Sequence, residues 1–171
     1  MKEYVSSGPH EPILWYRQTI RHSCGLMSLL HAISNGPART HILPSSPLSA
    51  LITSAIPLPP TERARLIYDS PEIEAAHASA AQRGDSAPGE LKLLEGEHYG
   101  YHFITFVKGD DGHLWELNGG MKGPVDRGVL GEGEDALSER ALDLGVRTFL
   151  GKDVLGDEVG FSLVALAPSE V

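Results

Sequence analysis

Ser23-Cys24-Gly25-Leu26-Met27-Ser28-Leu29-Leu30-His31-Ala32-Ile33-Ser34-Asn35, stopped by Gly36-Pro37, is the stretch that organises this chain. Leu26, Leu29, Leu30 and Ile33 recur at helical spacing and predict a helix over residues 24–35 with one apolar face. Ser23 is a residue type that caps helix starts, and Gly36 before Pro37 is a stop signal. Cys24 is then the first helical residue. Backbone N–H groups there lack partners within the helix, and the positive end of the dipole favours thiolate over thiol. On position alone, however, the ordinary reading of such a cysteine is a buried structural thiol.

Working outward, residues 1–12 carry Gly8, Pro9 and Pro12 and read as an irregular lead-in. Residues 13–20 (ILWYRQTI) are aromatic and β-branched at their start and predict a short strand. Downstream, residues 37–47 form a Pro/Ser/His-rich connection. Ser46-Pro47 opens a helix through Ala55, Thr61 caps one over residues 62–68, and Ser70-Pro71-Glu72 opens another to about Ala81. Residues 84–101 mix Gly, Pro and charge with no period and read as a long loop. FITFV (103–107) and HLWEL (113–117) are two strands joined through Gly109-Asp110-Asp111-Gly112, a hairpin turn. A Gly/Pro loop follows to about Gly133, then a helix over residues 134–150 with Gly145 as its weak point. GFSLVALA (160–167) reads as a final buried strand. The class is α+β in a single domain, with helices gathered before a mostly antiparallel sheet.

The 171 residues are 41% hydrophobic and 22% charged, as in a soluble globular protein. The net charge of −9 argues against nucleic acid as the main partner. No apolar run is long enough for a membrane span, and the N-terminus has no apolar signal core, so the expectation is no membrane and a cytoplasmic or nuclear location. One cysteine excludes an internal disulfide and a multi-thiolate zinc site. No cofactor or metal is expected.

A reactive cysteine needs a base. His31 lies two turns along the Cys24 helix and reads as a packed helix residue. His10, His41 and His77 carry no pattern. His98 and His102 are four apart, but the FITFV run that follows argues for a strand entry over a helical metal pair. His102 begins the first hairpin strand. Centring the turn near Asp110 or Asp111 brings it within about one residue of facing Asn118 or Gly119. The Asn118 side-chain oxygen can accept an imidazole N–H, which makes a Cys–His–orienter set conceivable. The plainer reading is a strand-edge histidine beside an Asn-Gly-Gly turn. The Cys24 N–H supplies one oxyanion donor, and Gln18 could aim its amide at the same point.

Gln18-Thr-Ile-Arg-His-Ser-Cys-Gly25, continued by Leu29-Leu30-His31-Ala32-Ile33-Ser34, resembles the active-site signature of the ubiquitin C-terminal hydrolases. His102-Phe-Ile-Thr-Phe-Val, followed by Gly112-His-Leu-Trp-Glu-Leu-Asn-Gly119, resembles their second signature. Thr61-Glu-Arg-Ala-Arg-Leu66 and Gly123-Pro-Val-Asp-Arg-Gly128 also look like family segments, so the resemblance runs from about Trp15 to the C-terminus. It implies a papain-like fold and thiol-dependent hydrolysis after the C-terminal glycine of ubiquitin. Cys24 matches the nucleophile, His102 the general base and acid, and Gln18 the oxyanion donor. Residues 84–101 match the crossover loop over the active site. The implied partners are ubiquitin or ubiquitin adducts.

Three departures stand out. Asn118 occupies the place of a carboxylate. His22 replaces an asparagine two residues before the nucleophile. The family's N-terminal segment has no counterpart, which leads to the expectation of a truncated form, a monomer unless its uncovered sheet edge pairs. Three readings follow: an active deubiquitinating peptidase, a weak or non-catalytic ubiquitin-binding relative, and an unrelated α+β domain with a structural Cys24. The joint presence of Cys24, His102 and Gln18 favours the first.

Overall fold

The computed structural model describes residues 2–84, 102–150 and 162–167. Helices dominate the first half: α1 (Cys24–Ile33), a 3-10 turn (Gly36–His41), α2 (Pro47–Ala55), α3 (Pro60–Tyr68) and α4 (Pro71–Ala81). The antiparallel sheet follows, with β1 (Thr105–Lys108), β2 (His113–Leu117) and β3 (Val125–Val129) in the order β1-β2-β3. Two short helices, α5 (Glu139–Leu144) and α6 (Arg147–Leu150), pack behind it. Among the described residues, no helix is long and apolar enough to cross a membrane. The segment expected as a crossover loop falls, apart from Gly84, outside the described residues.

Local chemistry sets most helix starts. Ser46 and Ser70 accept the backbone N–H of Ser49 and Ile73, and each is followed by a proline whose fixed φ suits the first helical position. The start of α3 differs from expectation. Pro59, not Thr61, stands at its cap, and Pro60 opens the helix.

The face that α1 buries also differs. Met27, Leu30, His31 and Ser34 are buried, while Leu29 is exposed. Spacings of three, four and seven from Met27 define one helical row, and that row includes polar residues. The reason lies in what it packs on. Residues 13–16 are all buried, but they form no strand. Polar side chains of α1 and the residues after it serve in place of a neighbouring strand. Asn35 accepts the Leu14 N–H (2.6 Å) and donates to the Leu14 carbonyl (2.9 Å). His31 Nε2 lies 2.9 Å from Tyr16 N, its ring stacks on that of Tyr16, and the Tyr16 hydroxyl meets Ser34 Oγ at 3.1 Å. Backbone groups that would be orphaned in the core are satisfied this way.

Burial pushes His31 from its ordinary 6.5 down to about 4, against a smaller upward pull from the Tyr16 backbone. Between those values the unfolded chain binds a proton that the fold refuses. This contribution to stability is full above pH 6.5 and is lost as pH falls through 6.5 towards 4, by about 3 kcal/mol. Urea midpoints measured from pH 7 to pH 4 should fall steeply in the native protein and less steeply in His31→Gln. Parallel slopes would remove His31 as the cause.

The hairpin pairs Thr105 with Leu117 and Lys108 with Leu114. Ile13, Trp15, Val107 and Leu117 form a core between the extended segment and the sheet. β3 falls where the sequence predicted a loop. Its residues VDRGV show no apolar alternation, and its pairing with β2 shifts register at Leu114/Trp115. Gly128 takes φ +118° at that irregularity, a conformation suited to glycine. The single helix expected over 134–150 is two helices, broken at Gly145. A Cβ there would lie 3.0 Å from the Phe106 ring, so the glycine admits the aromatic side chain.

The final buried strand is a further correction. Residues 162–167 are irregular and exposed, with Leu163, Val164 and Leu166 open to solvent. β-propensity expresses itself only against a partner edge, and no described strand pairs with this segment.

Candidate functional site

The site is assembled where three pieces of chain meet: the turn before α1, the first turn of α1, and the ends of the β1–β2 hairpin. Trp15 Nε1 donates to the Asn118 carbonyl (3.2 Å), and Gln18 N donates to the Gly119 carbonyl (2.8 Å). These bonds hold the end of β2 against residues 15–18. The approach is close enough that a Cβ at Gly119 would lie 2.9 Å from Gln18 Cβ and 3.2 Å from the Tyr16 carbonyl. The sequence marks Asn-Gly-Gly as a turn. It gave no sign that the first glycine is also required for this contact.

Cys24 is the first residue of α1 and is half-buried. Ser23 stands at the cap position but does not cap. Its hydroxyl donates instead to the Ile20 carbonyl at 2.8 Å. Among the described residues, no cap side chain bonds the first N–H groups of α1, where a negative charge beside Cys24 would be favoured. His22 holds φ +57°, in the left-handed region, which costs a residue with a Cβ about 1–2 kcal/mol.

His102 Nε2 and Asn118 Oδ1 are 2.8 Å apart. Asn118 Oδ1 also accepts the Gly120 backbone N–H at 2.9 Å, which fixes the amide with its oxygen inward. With an acceptor on that side, Nε2 is the donor in the His102–Asn118 bond, and Nδ1 is left to exchange a proton.

The helix carrying Cys24 runs beside β1, which starts at Thr105, three residues after His102, and not at His102 as the sequence predicted. A side chain at Gly25 would meet the Phe103 ring at 3.8 Å, and Thr105 Oγ1 donates to the Ser28 carbonyl at 2.8 Å. Both contacts advance in the same direction along helix and strand. Stepping one residue back from Gly25 and Phe103 reaches Cys24 and His102. Among the described residues, Cys24 Sγ makes no hydrogen bond to the His102 ring. Catalytic contacts are often loose until substrate binds.

Gln18 and His102 line a common surface hollow with Thr19, Ile20, Arg21 and Gly120. Gln18 Nε2 donates to the Ile20 carbonyl at 3.2 Å. An amide nitrogen has two N–H groups, so a second donor remains for a bound anion. Gln18 Oε1 is buried without a partner among the described residues. Those residues contain no cluster of His, Cys, Asp and Glu arranged to hold a metal ion.

Residues 2–150 match the sequence model of ubiquitin carboxyl-terminal hydrolase, family 1. Ubiquitin carboxyl-terminal hydrolase isozyme L1 from Rattus norvegicus is 34% identical over 154 residues, and that from Homo sapiens 32%. Each alignment covers 90% of this chain and 63% of the relative, so the chain spans less than two thirds of their length. Among solved structures, the Trichinella spiralis UCH37 catalytic domain bound to ubiquitin vinyl methyl ester superposes with a TM-score of 0.64 at 18% identity, over 90% of this chain and 65% of that one. That likeness gives the fold, the α+β papain-like architecture of these catalytic domains, and the sequence match gives the lineage: the chain belongs to family 1 of the ubiquitin carboxyl-terminal hydrolases.

Proposed function

We propose that this chain is a thiol-dependent deubiquitinase that hydrolyses bonds at the C-terminal glycine of ubiquitin through a Cys24 acyl-enzyme. The observation that carries the reading is the His102–Asn118 hydrogen bond, which orients an imidazole beside the helix whose first residue is Cys24. In the proposed cycle, His102 Nδ1 takes the Cys24 proton. The thiolate attacks the terminal carbonyl of ubiquitin, and the Cys24 N–H and the free Gln18 N–H receive the oxyanion. His102 returns the proton to the departing amine, leaving ubiquitin as a thioester. Water, deprotonated by His102, then attacks the thioester, and the thiolate leaves.

Ubiquitin as partner is supported by family membership and by the relative solved with a ubiquitin vinyl methyl ester. A second reading, a weak or inactive ubiquitin-binding relative, draws on Asn118. Its amide orients the imidazole but cannot balance imidazolium charge as a carboxylate would.

Ubiquitin vinyl methyl ester discriminates between the two. Intact mass should show a single adduct on the folded chain and none on Cys24→Ala. A folded native chain that stays unmodified would defeat the deubiquitinase reading and leave the binding relative.

A further inference from the structure

We infer that Thr105 is a positioning residue that sets the separation of Cys24 and His102. The inference rests on the proposed Cys–His chemistry and assigns one of its determinants. Thr105 lies three residues beyond His102, and Ser28 lies four beyond Cys24. The Thr105 hydroxyl bridges them directly, donating to the Ser28 carbonyl at 2.8 Å across 77 residues of sequence.

The geometry makes this bond more than a packing contact. On the way out from the site, α1 meets Phe103 through the apolar contact at Gly25 and meets β1 through the polar Ser28–Thr105 bond. The first can slide, because a flat ring resting on a glycine has no preferred register. The second cannot, because a hydroxyl-to-carbonyl bond weakens steeply beyond about 3.2 Å. From Gly25 to Ser28 the helix rises about 4.5 Å, while two residues of strand advance about 6.6 Å. The Ser28–Thr105 bond thus lies within one helical turn of the Gly25–Phe103 contact. A shift of α1 along β1 would break the bond and move Cys24 relative to His102, which Asn118 ties to the end of the paired strand β2.

His102 is held from the other side by Asn118, and Gln18 by Gly119. Among the described residues, Thr105 is thus the side chain that hydrogen-bonds α1 to the strand that follows His102. Displacement of a reacting group by about 1 Å can cost up to about a hundredfold in rate. Losing one such restraint shifts an ensemble rather than every molecule, so the expected loss is smaller.

Thr105→Val keeps the β-branched shape and deletes the hydroxyl. Thr105→Ser keeps the hydroxyl and deletes the methyl. Both would be compared with the native chain and His102→Gln for turnover of a fluorogenic ubiquitin C-terminal amide, for alkylation of Cys24 by iodoacetamide at neutral pH, and for thermal midpoint. Thr105→Val should lower kcat about tenfold with KM unchanged, and slow alkylation towards the His102→Gln rate. Thr105→Ser should retain most of both. Equal kcat and alkylation in Thr105→Val and the native chain would overturn the role, whatever happens to the midpoint. So would a Thr105→Ser as slow as Thr105→Val. If native alkylation is already as slow as that of His102→Gln, the Cys24–His102 couple itself fails, and the role of Thr105 falls with it.

Discussion

Arg63→Met is expected to cost about 3–5 kcal/mol of stability, lowering the thermal midpoint by about 10 °C. Arg63 is fully buried in α3. Its guanidinium donates to the Ala55 carbonyl (2.9 Å), the Ile56 carbonyl (3.1 Å) and the Trp15 carbonyl (3.4 Å), and pairs with the carboxylate of Glu11. Glu11 in turn accepts the Tyr4 hydroxyl at 2.8 Å. One side chain therefore joins the lead-in, the extended segment, the end of α2 and α3. Removing it alone strands a nearly buried carboxylate and three carbonyls, which is where the large cost arises. Pairing Arg63→Met with Glu11→Gln should recover part of the loss, because the orphaned charge goes too. Tyr4 reports on the same environment: burial, then the Glu11 carboxylate, pushes its hydroxyl up to about 12. A loss below about 1 kcal/mol in chemical denaturation would show that the guanidinium does not organise this junction. Since Arg63 also holds the Trp15 carbonyl, the variant should loosen residues 15–18 and with them Gln18.

The same junction explains what was legible in the sequence and what was not. Elements fixed by local signals are readable. The Ser-Pro starts of α2 and α4, the Gly-Asp-Asp-Gly turn and β2 all fall where residue chemistry puts them. The turn sets the hairpin register, and continuing that register back from Thr105 brings His102 opposite the end of β2, near Asn118. Elements fixed by distant partners are not readable. Residues 13–16 have strand composition, but their backbone is satisfied by His31 and Asn35, so no strand forms. Leu29 fits an apolar helical row, yet the buried row is the one carrying His31 and Ser34, because the helix packs on the buried backbone of residues 14–16, which has no strand partner among the described residues. β3 has the reverse character. It lacks apolar alternation and forms because β2 offers it an edge. Ser23 has the right residue type and position for a cap, but the Ile20 carbonyl takes its hydroxyl.

His102→Gln is expected to lower turnover of a ubiquitin C-terminal amide by about a thousandfold, the scale of a lost general acid–base group. Glutamine can still donate to Asn118 but cannot carry the proton that the proposed cycle moves between Cys24 and the leaving amine. Asn118 sharpens the test because its change can run in the opposite direction. Its Oδ1 already receives two donors, the His102 ring and the Gly120 N–H. Asn118→Asp preserves both acceptor positions and adds the negative charge that stabilises an imidazolium, so turnover should rise by about tenfold. Asn118→Ala leaves the ring free to rotate and should lower it. The order Asp above Asn above Ala separates orientation from charge: the Asn-to-Ala step measures orientation, and the Asp-to-Asn step measures charge. Equal rates in all three, together with less than tenfold loss in His102→Gln, would mean that the bonded pair is a strand-end contact and that the thiol works without it.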